Sequence, residues 1–491
     1  MKDLHTVHIR VNDADTGKPT PVRIAFYDSE GNYYAPFGRL ANFSTKDHID
    51  VGGNVLWDNK KFAYIDGTCE IRLPAGRLLV QISKGPEYKP IVEDVSLPAG
   101  KLALRFNIER FSHRRDEGWY AGDARAHALT PHAAWLEAAA EDLAVANLLA
   151  RPIPLNGCRA IPNIIAFSGQ SPLLDADGHL VVVNTLNRHP FLGALALLNC
   201  HRAVYPLEFG GPDGADDWSL ADWCDQCHRK GGLVVWTPAE HDPSRFRFGE
   251  PLADLALGKV DAFEIAGLSP SSLAALETWQ HLLQAGLRVP LAGASGKQNN
   301  QTLLGSLRTW ARLLPDQEFN YRHWIEAVRA GRTFISNGPF IDFTANGLDP
   351  GSELCVQQGE TVAIRVRVES PIPFDRVEAV ANAEVIASAS AGDSPCSAEL
   401  TFDWRPTSSA WLAARCTSSA VDSFTRGFAH TSPIYVQVQD GPFVPDRHAV
   451  AKLRSELEAL LGWAQSEARC PTDRQRQNLC EIFREALAKL V

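Results

Sequence analysis

Apolar and polar residues alternate with a period of two along residues 6–11, 21–26, 69–73 and 78–83. That period turns successive side chains to opposite faces of an extended chain, so each run predicts a half-buried β-strand. Turn-forming residues separate the runs, with Asp13, Asp15 and Gly17 in one break and Asp28, Gly31 and Asn32 in another. Short strands at this spacing predict a small antiparallel sandwich. From about residue 115 the pattern changes. Largely apolar runs at 180–184, 233–236, 262–265 and 289–293 predict buried strands, and they alternate with helical periods at 220–230, 271–285 and 324–330. The Ala-rich stretch 137–149 also reads as helix. Alternation of strand and helix predicts a mainly parallel sheet, open or closed into a barrel. Gly231, Gly232 and Gly286 stand where helix C-caps belong. The period of two returns at 361–368 and 434–438 and predicts a second sandwich. Residues 446–491 predict two amphipathic helices broken at Cys470 and Pro471, with Leu453, Leu457, Leu460 and Leu461 on one face.

A chain of 491 residues is too long for one core. The changes of period divide it into 1–112 (N-terminal β-sandwich), 113–340 (α/β unit), 341–440 (C-terminal β-sandwich) and 441–491 (helical tail). The formal charge of −10 argues against nucleic acid or an anionic membrane surface as partner. No stretch of about 18 apolar residues predicts a membrane span. The first ten residues alternate like a strand and lack an apolar signal core, so the chain as written reads as cytoplasmic. A start site placed too far downstream would instead make it secreted or periplasmic. The ten cysteines are scattered, which favours reduced, buried thiols.

The richest chemistry lies at 118–127, where a strand-like run leads through Gly122, Asp123 and Arg125 to His127. Thr130, Pro131 and His132 follow, then Glu137 and Glu141. This stretch resembles the Gly-Asp-x-His-x-His opening of the PHP superfamily of metallohydrolases, nearest to its CehA/McbA (carbaryl-hydrolase-like) branch. Segments 184–198, 231–236, 293–299 and 330–339 carry the same resemblance. The Asp-Thr-Gly-Lys-Pro of 15–19 and the Pro-Ala-Gly of 74–76 look like a carboxypeptidase-regulatory-like domain, read here as a stabilising or docking module. The resemblance implies a distorted (β/α) barrel between two sandwiches. It also implies two or three divalent ions held by His, Glu and Asp at strand ends, which polarise substrate and generate hydroxide.

The ligand positions depart from that pattern. His127 matches the second His of the opening, but Arg125 replaces the first, and a guanidinium has no lone pair to give. Leu186 stands for the family's Glu, Ala194 for a His, Thr237 for a His and Gln298 for an Asp. The resulting expectation is a homologue with lost or much reduced hydrolysis and no tightly bound cofactor. Its retained pocket holds a small anionic molecule through Arg125 and His127, with Asp123, Lys297 and Arg188 around them. In the bland version of this reading, Arg125 pairs with Asp123 or Glu141 and fills the site. The alternative is an active hydrolase of ester, amide or phosphoester bonds. It would hold Zn or Mn with His127 and with Glu240, His241 and Asp242, just past a strand end. A purely structural multidomain protein is a third class. His132, Glu137 and Glu141 fall at helical spacing and read as the solvated turns of a capped helix. Cys224, Cys227 and His228 match a haem-attachment spacing, but they fall in a helix that runs straight into a buried strand. Ser168 and Ser295 have no nucleophile elbow around them.

Overall fold

The computed structural model describes residues 3–48, 52–155, 158–211, 214–392, 396–418 and 426–490. Met1, Lys2 and Val491, included in the spans above, lie outside the described residues. The N-terminal region is a two-sheet sandwich. One sheet places Leu4–Asp13 between Thr68–Pro74, antiparallel to it, and Ala103–Ile108, parallel to it. The other is built on Val22–Asp28, flanked by Lys60–Ile65 and Gly76–Ser83. The inward positions of both sheets share one core, with Val7, Ile9, Val11, Ile24, Phe26, Val80 and Ile82 fully buried. The period of two in the sequence is the alternation between this core and solvent.

The central region holds strands and helices in the expected alternation. Trp119–Ala126, Val145–Ala150 and His179–His189 lie parallel and adjacent. Gly193–Leu198 then runs antiparallel, and Leu233–Trp236 antiparallel to it. Ala262–Ala266 and Leu291–Ala294 complete the row in parallel. The row curls back on itself. Past the last strand, Gly296 N donates to Arg125 O (3.1 Å) and His127 N donates to Lys297 O (2.7 Å). Gly293 N donates to Thr309 Oγ1 (2.7 Å), which joins the same strand to Arg308–Arg312. The Ala-rich stretch is not one helix. Its helix is Pro131–Ala140, and Val145–Ala150 is a strand with every residue buried. Asp142 adopts a left-handed φ of 53° between the two. Ala and Leu favour helix locally, but parallel neighbours on either side of 145–150 override that preference.

The two halves of the chain are not separate sheets. Trp119–Ala126 also pairs with Arg308–Arg312, then Thr333–Ser336, and the row continues through Ala429–Thr431, Ala410–Thr417 and Arg376–Ala381. Phe340–Ala345, Val362–Glu369 and Ser397–Trp404 form a second sheet over this extension. Their shared core joins Ile364 and Val366 to Leu412, Ala414, Trp310 and Phe334. The tail forms helices Arg447–Ser466 and Asp473–Lys489, with Leu453, Leu457 and Leu460 buried and Leu461 half-buried. It packs on helix Glu250–Ala256, where Glu456 Oε1 accepts the N–H groups of Phe248 (2.8 Å) and Gly249 (3.3 Å). On that short helix Glu250 is fully buried and accepts Ala221 N at 3.1 Å, while Asp254, also fully buried, has no hydrogen-bond partner for either carboxyl oxygen among the described residues. Among the described residues no helix is long and apolar enough to cross a membrane.

Candidate functional site

The strand Trp119–Ala126 carries Asp123 and Arg125 to the end of the curled row, with His127 one residue past it. Asp123 is fully buried. Its Oδ1 accepts the N–H of Arg125 (3.1 Å) and Ser295 (3.0 Å), and its Oδ2 accepts the N–H of Gly305 (2.8 Å). Burial pushes this carboxyl above its ordinary value against the pull of those N–H groups. Its role is to fasten three chain segments at one point.

Arg125 is 1% exposed. Its Nε donates to both oxygens of Glu264 (3.0 and 2.9 Å), and Nη2 donates to Glu264 Oε1 (2.9 Å). Nη1 donates to Glu240 Oε1 at 2.5 Å. Burial works against the guanidinium's charge, but Glu264 and Glu240 hold it firmly protonated. Burial likewise pushes the Glu264 carboxyl up, with Arg125 opposing. Glu240 is held on the other side by Arg151, whose Nη1 donates to Oε2, and by Gln298 Nε2, which donates to Oε1 at 3.1 Å. Arg151 Nη2 also donates to Gln298 Oε1 (3.0 Å). Burial raises the Glu240 carboxyl, yet the cations around it, Arg125 foremost, bring it below its ordinary value.

His127 Nδ1–H donates to Leu149 O (2.9 Å), which leaves Nε2 as an acceptor 3.4 Å from Arg125 Nη1. Burial, with Arg151 and Arg125 nearby, pushes this imidazole down to about 3, so it is neutral at physiological pH. Thus the one matched histidine turns its lone pair to a guanidinium. The carboxylates of Glu240 and Glu264 are already saturated by cationic donors. This donor set does not suit a divalent cation, because a fixed positive charge occupies the point where the ligands converge. Among the described residues no three His, Cys, Asp or Glu side chains form a group able to hold an ion.

The remaining sequence candidates are placed apart. His241 turns away, with Nε2 2.6 Å from Phe246 O, and Asp242 is exposed and caps Ser244 N (3.0 Å). Lys297 is fully buried and reaches Glu137 (3.6 Å), Thr302 O (2.9 Å) and Asn299 O (3.1 Å). Leu186, Ala194 and Thr237 are fully buried, and Thr237 Oγ1 donates to Ala194 O (2.9 Å). Arg188 lies opposite Ala194 on strand His179–His189, near enough to the site for its charge to act on Glu240. Glu137 and Glu141 are not solvated: Glu137 is fully buried and Glu141 3% exposed. The N-terminal sandwich covers them. Arg23 Nε (2.9 Å) and Tyr64 Oη (3.0 Å) donate to Glu141 Oε1, and Gly53 N donates to Glu137 Oε1 (3.1 Å). His132 alone of the three is exposed. The partners foreseen for Arg125, Asp123 and Glu141, are replaced by Glu264 and Glu240.

No protein-family model matches the chain, and no curated protein is significantly similar to it. Among solved structures, fibronectin(III)-like modules of Clostridium thermocellum CbhA are 18% identical, covering 21% of this chain and 98% of theirs, at a TM-score of 0.15. The CARDB domain of a Pyrococcus furiosus protein is 15% identical over 21% of this chain and 94% of its own, also at 0.15. Parabacteroides merdae β-glucuronidase aligns over 89% of this chain and 64% of its own at 9% identity and a TM-score of 0.19. Likenesses this low carry no argument about the fold or chemistry of the present chain.

Two central members of the site are missing from the sequence reading. Glu264 is a lone acid inside the apolar run 262–266, and a buried carboxylate demands a cation. Arg151 directly follows the buried strand Val145–Ala150, at the strand-end position where such sites collect their residues. Cys224 and Cys227 are buried on helix Leu220–Arg229, with Cys227 Sγ 3.4 Å from Cys200 Sγ, and His228 meets Asp261 at 2.9 Å. They serve packing at that helix.

Proposed function

We propose that the central region is a PHP-like distorted α/β barrel, related to the CehA/McbA metallohydrolases, in which an arginine plug has replaced the metal centre. The chain then acts as a binding protein rather than a hydrolase. The observation that carries this reading is Arg125, 1% exposed, forked onto Glu264 and bonded to Glu240. Two further features support it. Gly296 and Lys297, past the last strand of the row, share backbone hydrogen bonds with Arg125 and His127 beside its first strand, a contact that a closed barrel would need. Of the six positions matched by sequence alone, three, Arg125 and His127 on one segment and Gln298 on a distant one, meet around Glu240.

Hydrolysis by the related mechanism needs hydroxide made on a metal. At the point of convergence this chain offers a guanidinium, a neutral imidazole and two saturated carboxylates. Purification without chelators followed by elemental analysis tests the reading. Well below one Zn or Mn per chain is expected, with no cleavage of ester, amide or phosphoester substrates in the presence of either metal. Two tightly held ions per chain with metal-dependent cleavage would overturn it and return Glu240, His241 and Asp242 to consideration as ligands.

A further inference from the structure

Two more guanidinium groups, those of Arg151 and Arg188, act on the cluster around the Arg125 plug. Glu240 is shared by Arg125 and Arg151, and Glu264 is taken by Arg125. Arg188 has no carboxylate of its own: among the described residues its guanidinium makes no ion pair, and its Nε–H is buried without an acceptor. Arg151 shares Glu240, with its side chain 11% exposed, and among the described residues its buried Nε–H also meets no acceptor. Ala150, just before Arg151, pairs with Thr185, three residues before Arg188, so the two cations leave the same end of neighbouring parallel strands. Both also act on the Glu240 carboxyl. Two like charges at the same end of neighbouring strands, each with a buried orphan donor, form an arrangement that costs free energy unless an acceptor comes between them.

We propose that Arg151 and Arg188 form the binding site for a small dianion of phosphate type, seated at the mouth above the Arg125 plug. Guanidinium N–H groups pair in parallel with oxyanions, and the charge of the ligand removes the repulsion between the two arginines. Gln298 and the 40–48 loop of the N-terminal sandwich complete the mouth. His48 N donates to Gln298 O (2.9 Å), and Asn299 Nδ2 donates to Asp47 Oδ1 (2.6 Å). The inference rests on the reading that the metal centre is plugged, and it moves the anion contact outward. The guanidinium donors of Arg125 that face Glu264 and Glu240 are committed, whereas the Nε–H groups of Arg151 and Arg188 are not.

Calorimetric titration of the full chain with inorganic phosphate, at low salt and again at about 0.3 M salt, tests it. Wild type is expected to bind with one site per chain, and affinity is expected to fall as salt rises. Arg188→Gln is expected to weaken binding by at least about tenfold. Arg188→Lys should fall between the two, since it keeps the charge and loses the fork. Arg77→Gln, an exposed side chain at the start of strand Gly76–Ser83, should bind as wild type does. Circular dichroism and melting curves establish that each variant is folded, and Arg151→Gln replaces Arg188→Gln if the latter does not fold. No binding by wild type up to about 10 mM phosphate, or equal binding by wild type and the Gln variant, overturns the proposal. Either result leaves the plugged-centre reading standing, because that reading is decided by metal content and cleavage.

Discussion

Replacing Glu264 by Gln removes one charge from the plug and almost nothing from its volume. Arg125 then sits at 1% exposure with Glu240 as its remaining anion, and Glu240 is shared with Arg151. Three short donor–acceptor contacts of 2.9–3.0 Å to Glu264 lose their charge assistance, and at least one Arg125 N–H must now face an amide N–H. Breaking a buried pair costs about 3–5 kcal/mol, and the remaining contact with Glu240 puts the expected loss near ~3 kcal/mol. For a unit of roughly 200 residues this corresponds to a fall in melting temperature of about 6–12 °C. Differential scanning fluorimetry with urea unfolding, read through the buried tryptophans, measures it. The companion variant Arg125→Met with Glu264→Leu removes both charges together, and an apolar pair is tolerated where half an ion pair is not. The double variant is therefore expected to recover most of the loss seen for Glu264→Gln. A Glu264→Gln variant within ~1 kcal/mol of wild type, or a double variant no better than the single, would refute the view of this cluster as a desolvated, mutually dependent set.

Burial pushes the Glu250 carboxyl up to about 8, so folding keeps it protonated where the unfolded chain, near 4.5, has already ionised. Stability from this group is full below pH 4.5 and is lost between 4.5 and 8, by on the order of 3 kcal/mol at about pH 7. Glu250→Gln should thus match wild type near pH 4.5 and melt higher at pH 8, and equal differences at both pH values would contradict the assignment. A Cβ at Gly122 would lie 2.5 Å from Trp324 Cζ2, so Gly122→Ala should cost about 1–3 kcal/mol, checked by urea denaturation. Cys158 and Cys355 are exposed whereas Cys224 and Cys227 are buried, and burial pushes the Cys224 thiol well up. A thiol-reactive dye should label the first pair quickly in the native protein and the second only after unfolding, with mass mapping as the readout.

The elements that can be read from the sequence are those whose own side chains report their surroundings. Leu233–Trp236 is apolar throughout because both its faces are covered, and the tail helices repeat Leu at the spacing of one face. The departure at Arg125 is visible for a similar reason, since a guanidinium is conspicuous at a strand end. Val145–Ala150 is not legible, because its composition is that of a helix and its strand state is imposed by neighbours distant in sequence. Glu137 and Glu141 look like solvated helix residues until Arg23, Tyr64 and Gly53, 77 to 118 positions away, are folded over them. Glu264 carries a local signal in its apolar setting, but its partner has no neighbouring position from which to announce itself.

The seam between the N-terminal sandwich and helix Pro131–Ala140 bears on how this sequence can drift. Arg23 and Glu141 are 118 residues apart in the chain and 2.9 Å apart in space, both nearly closed to water. Losing either one leaves an uncompensated charge inside the protein, so selection tolerates their replacement as a pair or not at all. Glu137 at the same seam accepts the backbone N–H of Gly53, whose positive φ of 72° few other residues adopt. Homologous chains that exchange the N-terminal sandwich for another module should therefore also have changed positions 137 and 141, and those that keep the sandwich should keep all four residues together.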